Sequence, residues 1–189
     1  MTTPHGIDLA AMDLTTETIR TVRLVLRPFR PADVDAVLRA SQDPDTQRWI
    51  GALPVPYTRE NAREFVEGTA VRDRADGQGL SCAVEADGEL VGTAGANLRP
   101  GRLGPEIGYS IAPWARRCGY AAEAARALAD WALGLGAPRA HLYTDVGNTA
   151  SQAVARRAGF TQEGVVRSCL EYRDGTRADA LLFGRLAGE

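Results

Sequence analysis

From Ala121 to Leu133 the chain reads A-A-E-A-A-R-A-L-A-D-W-A-L, and its only charges are Glu123, Arg126 and Asp130. At that spacing a helix gathers them into one narrow polar stripe on an otherwise apolar surface. Such a helix is stable only if most of its surface is buried, and its alanines let it lie close to a sheet. The residues just before it supply a strand. Ile107, Tyr109 and Ile111 alternate with Glu106, Gly108 and Ser110, the period of a pleated strand. Pro113 lacks a backbone donor and ends regular pairing. Between strand and helix lies the loop Arg116-Arg117-Cys118-Gly119-Tyr120. A strand, a basic glycine-containing loop and a helix N-terminus make an anion site, because the first helical N–H groups have no partner within the helix. Gly119 allows close backbone approach, and Arg116 and Arg117 add positive charge.

The rest of the chain surrounds this unit with further short elements. Residues Thr18 to Arg27 predict a first strand, with Val22, Leu24 and Leu26 on one face. Pro31 predicts a helix start carrying Val34, Val37 and Leu38 on its apolar face. Asp43 to Leu53 reads as a short turn-rich piece anchored by Trp49 and Ile50. Thr58 predicts an N-cap, followed by a helix turning Ala62, Phe65, Val66 and Thr69 inward. Asp87-Gly88 marks a tight hairpin between strands Leu80–Glu85 and Glu89–Leu98. Pro100 to Gly104 reads as a turn into Glu106. A strand from Arg139 to Asp145, a helix from Thr149 to Arg157 and a hairpin of Glu163–Tyr172 with Arg177–Leu186 complete the order. This predicts a mixed α/β fold on one central sheet of about seven strands, helices on both faces. Residues 1–17 read as a loose arm and 18–189 as a single domain.

Composition removes several chemistries. All 22 basic residues among the 189 are arginine, so neither a Walker A lysine nor a lysine Schiff base is available. Cys82, Cys118 and Cys169 are scattered, and histidine occurs only at His5 and His141, which offers no zinc-site spacing. No G-x-S-x-G elbow is present. A net charge of −2 gives no case for nucleic-acid binding. No stretch reads as membrane-spanning or as a secretion signal, and the cysteine usage suits a reducing compartment, so the expected location is the cytoplasm.

Arg116-x-x-Gly119-x-Ala121 resembles the R/Q-x-x-G-x-G/A pyrophosphate loop of the GNAT superfamily of acetyl-CoA-dependent N-acetyltransferases. Asn148-Thr149-Ala150-Ser151, followed by A-G-F-T-Q-E-G from Ala158 to Gly164, resembles the branch that acetylates ribosomal-protein N-termini. The resemblance extends from about Thr18 to Leu186. It implies a fold whose central strands splay apart, with acetyl-CoA between them. It implies that the loop Arg116, Arg117, Cys118, Gly119, Tyr120 and Ala121 binds the pyrophosphate. It further implies that the backbone of Tyr109, Ser110, Ile111 and Ala112 binds the pantetheine amides, with the Ile111 N–H directed to the thioester carbonyl.

Direct acetyl transfer to a primary amine in a ternary complex also needs a proton acceptor and a donor at the leaving sulfur. Ser151 is the donor that the branch implies; at the third position of a helix capped by Asn148 it is equally an ordinary helix residue. Asn148 is expected both to cap that helix and to bond the pantetheine. Two glutamates compete as base. Glu106 begins the key strand. Glu171 lies near the position of the branch's glutamate, but spacing after Glu163-Gly164 is one residue longer, which turns a strand residue to the other face. His141 reads as a satisfied strand histidine, Cys118 as incidental, and Trp114 as either a cofactor cover or packing. The acceptor (a protein N-terminus, an aminoglycoside, a polyamine or another small amine), the acyl length and the oligomeric state, a homodimer included, are open. A catalytically silent acyl-CoA-binding module is the alternative.

Overall fold

The computed structural model describes residues 7–9, 12–99 and 103–189. Residues 100–102 of the expected turn, and residues 1–6, 10 and 11 of the expected arm, lie outside the described residues. Parts of that arm are packed: Ile7 and Leu14 are buried in the core, and the Asp8 N–H donates to the Leu135 carbonyl.

Among the described residues, eight strands form one sheet in the order β1-β2-β3-β4-β5-β6-β8-β7. They are β1 (Ile19–Arg20), β2 (Val25–Arg27), β3 (Gly79–Ala86), β4 (Glu89–Asn97), β5 (Glu106–Ile111), β6 (Arg139–Asp145), β7 (Thr161–Glu171) and β8 (Arg177–Leu186). The strand beyond the expected seven arises because the segment read as a single first strand is two. Thr21 turns the chain: its N–H donates to the Leu24 carbonyl and its hydroxyl accepts from the Leu24 N–H. Val22 therefore sits on the turn, 99% exposed, and not on the inner face; Leu24 and Leu26 are buried as expected. Asp87 and Gly88 both take positive φ in the β3–β4 hairpin, the geometry that an Asp-Gly turn supplies.

The helices are α1 (Val34–Ser41), α2 (Pro44–Trp49), α3 (Arg59–Arg63), α4 (Ala70–Ala75), α5 (Tyr120–Gly134) and α6 (Thr149–Arg157). A π-helical stretch, Glu64–Thr69, joins α3 to α4. The turn-rich piece after Asp43 is thus a helix, α2, because the Asp43 carboxylate accepts from the Thr46 N–H and Pro44 is placed at the start of the first turn. Thr58 caps α3 as expected.

Alternation along β3 separates two cores. Cys82 and Val84 pack with Ala124, Ala125, Leu128 and Ala129 of α5. Ala83, between them, packs on the opposite face with Val34, Val37, Ala62 and Val66. Beneath that second core Arg27 is buried, bonded to Asp33 through two nitrogens at 2.8 and 2.9 Å and to Glu85 at 2.6 Å.

Every neighbouring pair of strands is antiparallel except β5 and β6, which run parallel and share one residue pair, Glu106 with His141. Beyond that pair the sheet opens, and the site is built around the opening.

Candidate active site

The loop after β5 ends in Gly119, which takes φ +84° as the residue preceding α5; Arg117 is also left-handed at φ +66°. Neither conformation suits an ordinary residue, and together they turn the backbone sharply into the helix. The loop is held from outside by the β1–β2 turn. Arg23 donates to the Cys118 carbonyl at 2.9 Å, pairs with Glu123 at 2.6 Å and lies over the Tyr120 ring. Thr21 donates to the same Glu123 carboxylate at 2.6 Å. Burial works against ionising Glu123, but the bonds from Thr21 and Arg23 outweigh it and lower its pKa. The sequence shows Glu123 only as part of a narrow polar stripe; its anchoring role depends on a partner 100 residues away.

A cleft of about 650 Å³ runs along the loop and the α5 N-terminus to the first turn of α6. It brings together Tyr109, Ser110, Ile111, Arg116, Arg117, Gly119, Tyr120, Ala121, Asn148 and Ser151. Two expected members are absent. Ala112 is buried and its N–H donates to the Val91 carbonyl, so that amide is not available to a ligand. Cys118 points outward and is exposed. Trp114 lies outside this cleft too, bonded to the Leu90 carbonyl and stacked under Arg39, so it packs and does not cover the cleft.

Backbone alternation explains what β5 offers. Because the Ala112 N–H points to β4, so do the main-chain groups of Ser110 and Gly108. Those of Tyr109 and Ile111 point the other way, towards β6, where the ladder has already ended. The Ile111 N–H is thus turned into the opening.

Asn148 caps α6, its side-chain oxygen accepting from the Ser151 N–H at 3.0 Å. Its amide nitrogen makes no hydrogen bond among the described residues, and the residue lines the cleft. The Ser151 hydroxyl lies 3.1 Å from the Tyr109 hydroxyl, which is also 3.2 Å from the Ser151 carbonyl. Burial raises the Tyr109 pKa, opposed by the bond to Ser151, so the phenol stays protonated at neutral pH. Sequence reasoning gave Tyr109 only a backbone role; an inward aromatic on a strand carries no signal of its partner.

Arg116 is engaged from across the cleft. Its guanidinium pairs with Asp43, lies 3.4 Å from Asp45 and donates to the Thr46 hydroxyl at 3.0 Å. Arg173 donates to the Gln47 carbonyl at 2.6 Å near the other end of α2. The two arginines hold Trp49 and Ile50 where they line this cleft and a second one.

The second cleft, about 500 Å³, lies on the opposite side of β5 and includes Phe29, Phe65, Asp73, Asn97, Arg99 and Glu106. The two clefts share Trp49, Ile50, Tyr109 and Ser110. Burial raises the Glu106 carboxyl pKa, and no cation pairs with it among the described residues. Glu171 is not brought here. It lines neither cleft, and its exposed carboxylate pairs with Arg177 at 2.8 Å. Register shifts along β7, with Ser168 at φ +52°, place it on the far hairpin. His141, beside Glu106, is buried, which lowers its pKa; its Nδ1 has no hydrogen-bond partner among the described residues, so the histidine expected to be satisfied is at most partly so there.

The fold thus sets a loop suited to an anion at a helix N-terminus, next to a sheet opened between two parallel strands. The chain belongs to the GNAT acetyltransferase family: residues 23–161 match its domain. YoaA, an uncharacterized N-acetyltransferase of Bacillus subtilis, is 30% identical over 171 residues, which cover 87% of this chain and 94% of that protein. The aminoglycoside N(6')-acetyltransferase type 1 of Klebsiella aerogenes is 32% identical over 111 residues, 55% of this chain and 70% of its own. Among solved structures, RimL, a ribosomal alpha-N-protein acetyltransferase in complex with coenzyme A, superposes with TM-score 0.75 at 25% identity, covering 90% of this chain and 98% of its own. The protein is an acetyl-CoA-dependent acetyltransferase. Its residues fit that cosubstrate: the left-handed Gly119 keeps the loop open, Arg117 has no ion pair among the described residues, and the Asn148 amide nitrogen is unspent.

Proposed function

We propose that this enzyme transfers acetyl to a primary amine by direct attack in a ternary complex. The observation that carries the reading is the meeting of the two clefts at Tyr109 and Ser110, with the anion loop along one and Glu106 in the other. Acetyl-CoA supplies an activated thioester. Gly119, Tyr120 and Ala121 would hold its pyrophosphate through their N–H groups, aided by Arg117, and by Arg116 once it leaves Asp43. Asn148 and the inward amides of Tyr109 and Ile111 would hold its pantetheine arm.

Glu106 takes the proton that the amine must lose. Its raised pKa suits that task, since a base works best with a pKa near the working pH. Ser151 is the hydrogen-bond donor to the departing sulfur. A hydroxyl is a weaker acid than a thiol, so its contribution is a positioned bond that strengthens as charge develops. Tyr109 supports it from behind.

The acceptor cleft favours one positive charge. Asp73 and Arg99 pair at 2.9 Å, leaving Glu106 as the carboxylate without a cation. An aminoglycoside or polyamine would bring several ammonium groups to a site with one free carboxylate. A protein N-terminus, the acceptor class named for RimL, brings one. We place the reaction in the cytoplasm, which suits three unpaired cysteines.

Mass spectrometry of a peptide-and-amine panel after incubation with acetyl-CoA tests this. Peptides gaining one acetyl at the α-amine support the reading; a panel that stays unmodified refutes it.

A further inference from the structure

The register of β3, β4 and β5 lays out the floor of the acceptor cleft. Ser81, Gly95 and Gly108 form its middle row, with Asn97 and Glu106 on one side and Thr93 and Ser110 on the other. Strand periodicity turns these residues to one face. The middle row is almost without side chains.

The fold accounts for Gly95 but not for Gly108. A Cβ added at Gly95 would meet the Leu80 carbonyl oxygen at 2.9 Å, and one at Gly92 would meet that of Ser110 at 2.4 Å. Backbone crowding dictates both. A Cβ added at Gly108 meets nothing within 4 Å, and Gly108 does not take a positive φ. Glycine inside a strand weakens it, since it has more freedom to lose and nothing to pack. Gly164, the other described strand glycine with open space around it, sits at a register shift in β7 and lines neither cleft.

We infer that Gly108 is a specificity-determining position, its missing side chain making room for an uncharged group carried next to the acceptor's amine. The inference rests on the amine-transfer reading above. The amine is addressed by Glu106, two residues along the same face. The group beside it then lies over Gly108, in a cleft that also holds the edge-on pair Phe29 and Phe65, their rings 5.2 Å apart. With Asp73 and Arg99 neutralising each other, nothing at this floor calls for a second charge.

Gly108→Ala and Gly108→Val test this, assayed on glycinamide, leucinamide and phenylalaninamide, with melting temperatures taken with and without acetyl-CoA. Both variants should melt at or above the wild-type temperature and keep the acetyl-CoA shift. The ratio of kcat/KM for phenylalaninamide to that for glycinamide should fall about tenfold or more in Gly108→Val, and by less in Gly108→Ala, since a single methylene in an apolar pocket discriminates by roughly 10–200-fold. An unchanged ratio in Gly108→Val overturns the assignment. So does a drop of several degrees in the melting temperature of Gly108→Ala, which would show that the glycine serves the fold. Should the wild type acetylate none of the amides, amine transfer itself falls and this inference with it; a wild type that works beside variants of unaltered selectivity removes the inference alone.

Discussion

The Tyr109 hydroxyl and the Ser151 hydroxyl lie 3.1 Å apart, joining the opened strand β5 to the first turn of α6. The bond fixes the serine in the first cleft, beside the Tyr109 that both clefts share, and backs it with a protonated phenol. Ser151→Ala should lower kcat by about ten- to ten-thousandfold, the range for a lost positioned donor, with the acetyl-CoA melting shift kept. Tyr109→Phe removes one supporting bond and should cost about two- to tenfold. Steady-state kinetics on both variants checks the order; equal losses would make Tyr109 the donor.

The loop itself is tested by Gly119→Asp. Its φ of +84° is strained for a residue with a side chain, and the added carboxylate would bring negative charge to the N-terminus of α5 beside Arg23, whose guanidinium lies 3.4 Å from where a Cβ would stand. Thermal-shift titration should show no stabilisation by acetyl-CoA, where the wild type gains stability by mass action. A wild-type shift in this variant would move the anion site elsewhere.

Glu123 ties the loop's helix to Arg23 and Thr21. Glu123→Gln should destabilise the protein by about 1–3 kcal/mol at neutral pH, as bonds to a charged acceptor are lost. The carboxyl pKa is lowered by folding, from an ordinary 4.5, so its contribution is complete above that value and disappears as pH falls through the folded pKa. Chemical denaturation should therefore show a gap between wild type and variant that is flat near neutrality and closes below about pH 4.5.

Arg27 is buried between Asp33 and Glu85. Arg27→Met leaves the Asp33 carboxylate buried without its cation and should cost roughly 3–5 kcal/mol. Replacing Asp33 by Asn in addition should return part of that loss, measured by urea unfolding.

What the sequence revealed followed how local each signal was. The alanine-rich α5, the Asp-Gly hairpin and the caps at Thr58 and Asn148 act within a few residues, and the structure has them where expected. Val22 falls outside the pattern because alternation alone cannot show that Thr21 and Leu24 close a turn. Helix α2 escaped notice for the same reason: six residues are too few for a period, and its cap at Asp43 was the missed signal. Of the residues that the first cleft brings together, those of the loop and Asn148 and Ser151 were legible, because their spacing is fixed within single elements. The engagement of Arg116 by Asp43, the Arg23 clamp and the Tyr109–Ser151 bond join residues 42 to 100 positions apart, and no local pattern encodes them. The glutamates were a choice between registers, and shifts in β7 decided where Glu171 lies.

The central claim is that Glu106 is the base of an amine acetylation. Burial raises its carboxyl pKa, so the basic form fills as pH climbs through that value and the wild-type rate should rise with it. The pH profile of kcat/KM on an N-terminal peptide, for wild type, Glu106→Gln and Glu171→Gln, measures this directly. Glu106→Gln should lose about ten- to ten-thousandfold at pH 7 and recover partly above about pH 8, where an α-amine deprotonates unaided. Glu171→Gln, which loses a surface pair with Arg177, should follow the wild-type profile. Rate loss and alkaline recovery confined to Glu171→Gln would contradict the account.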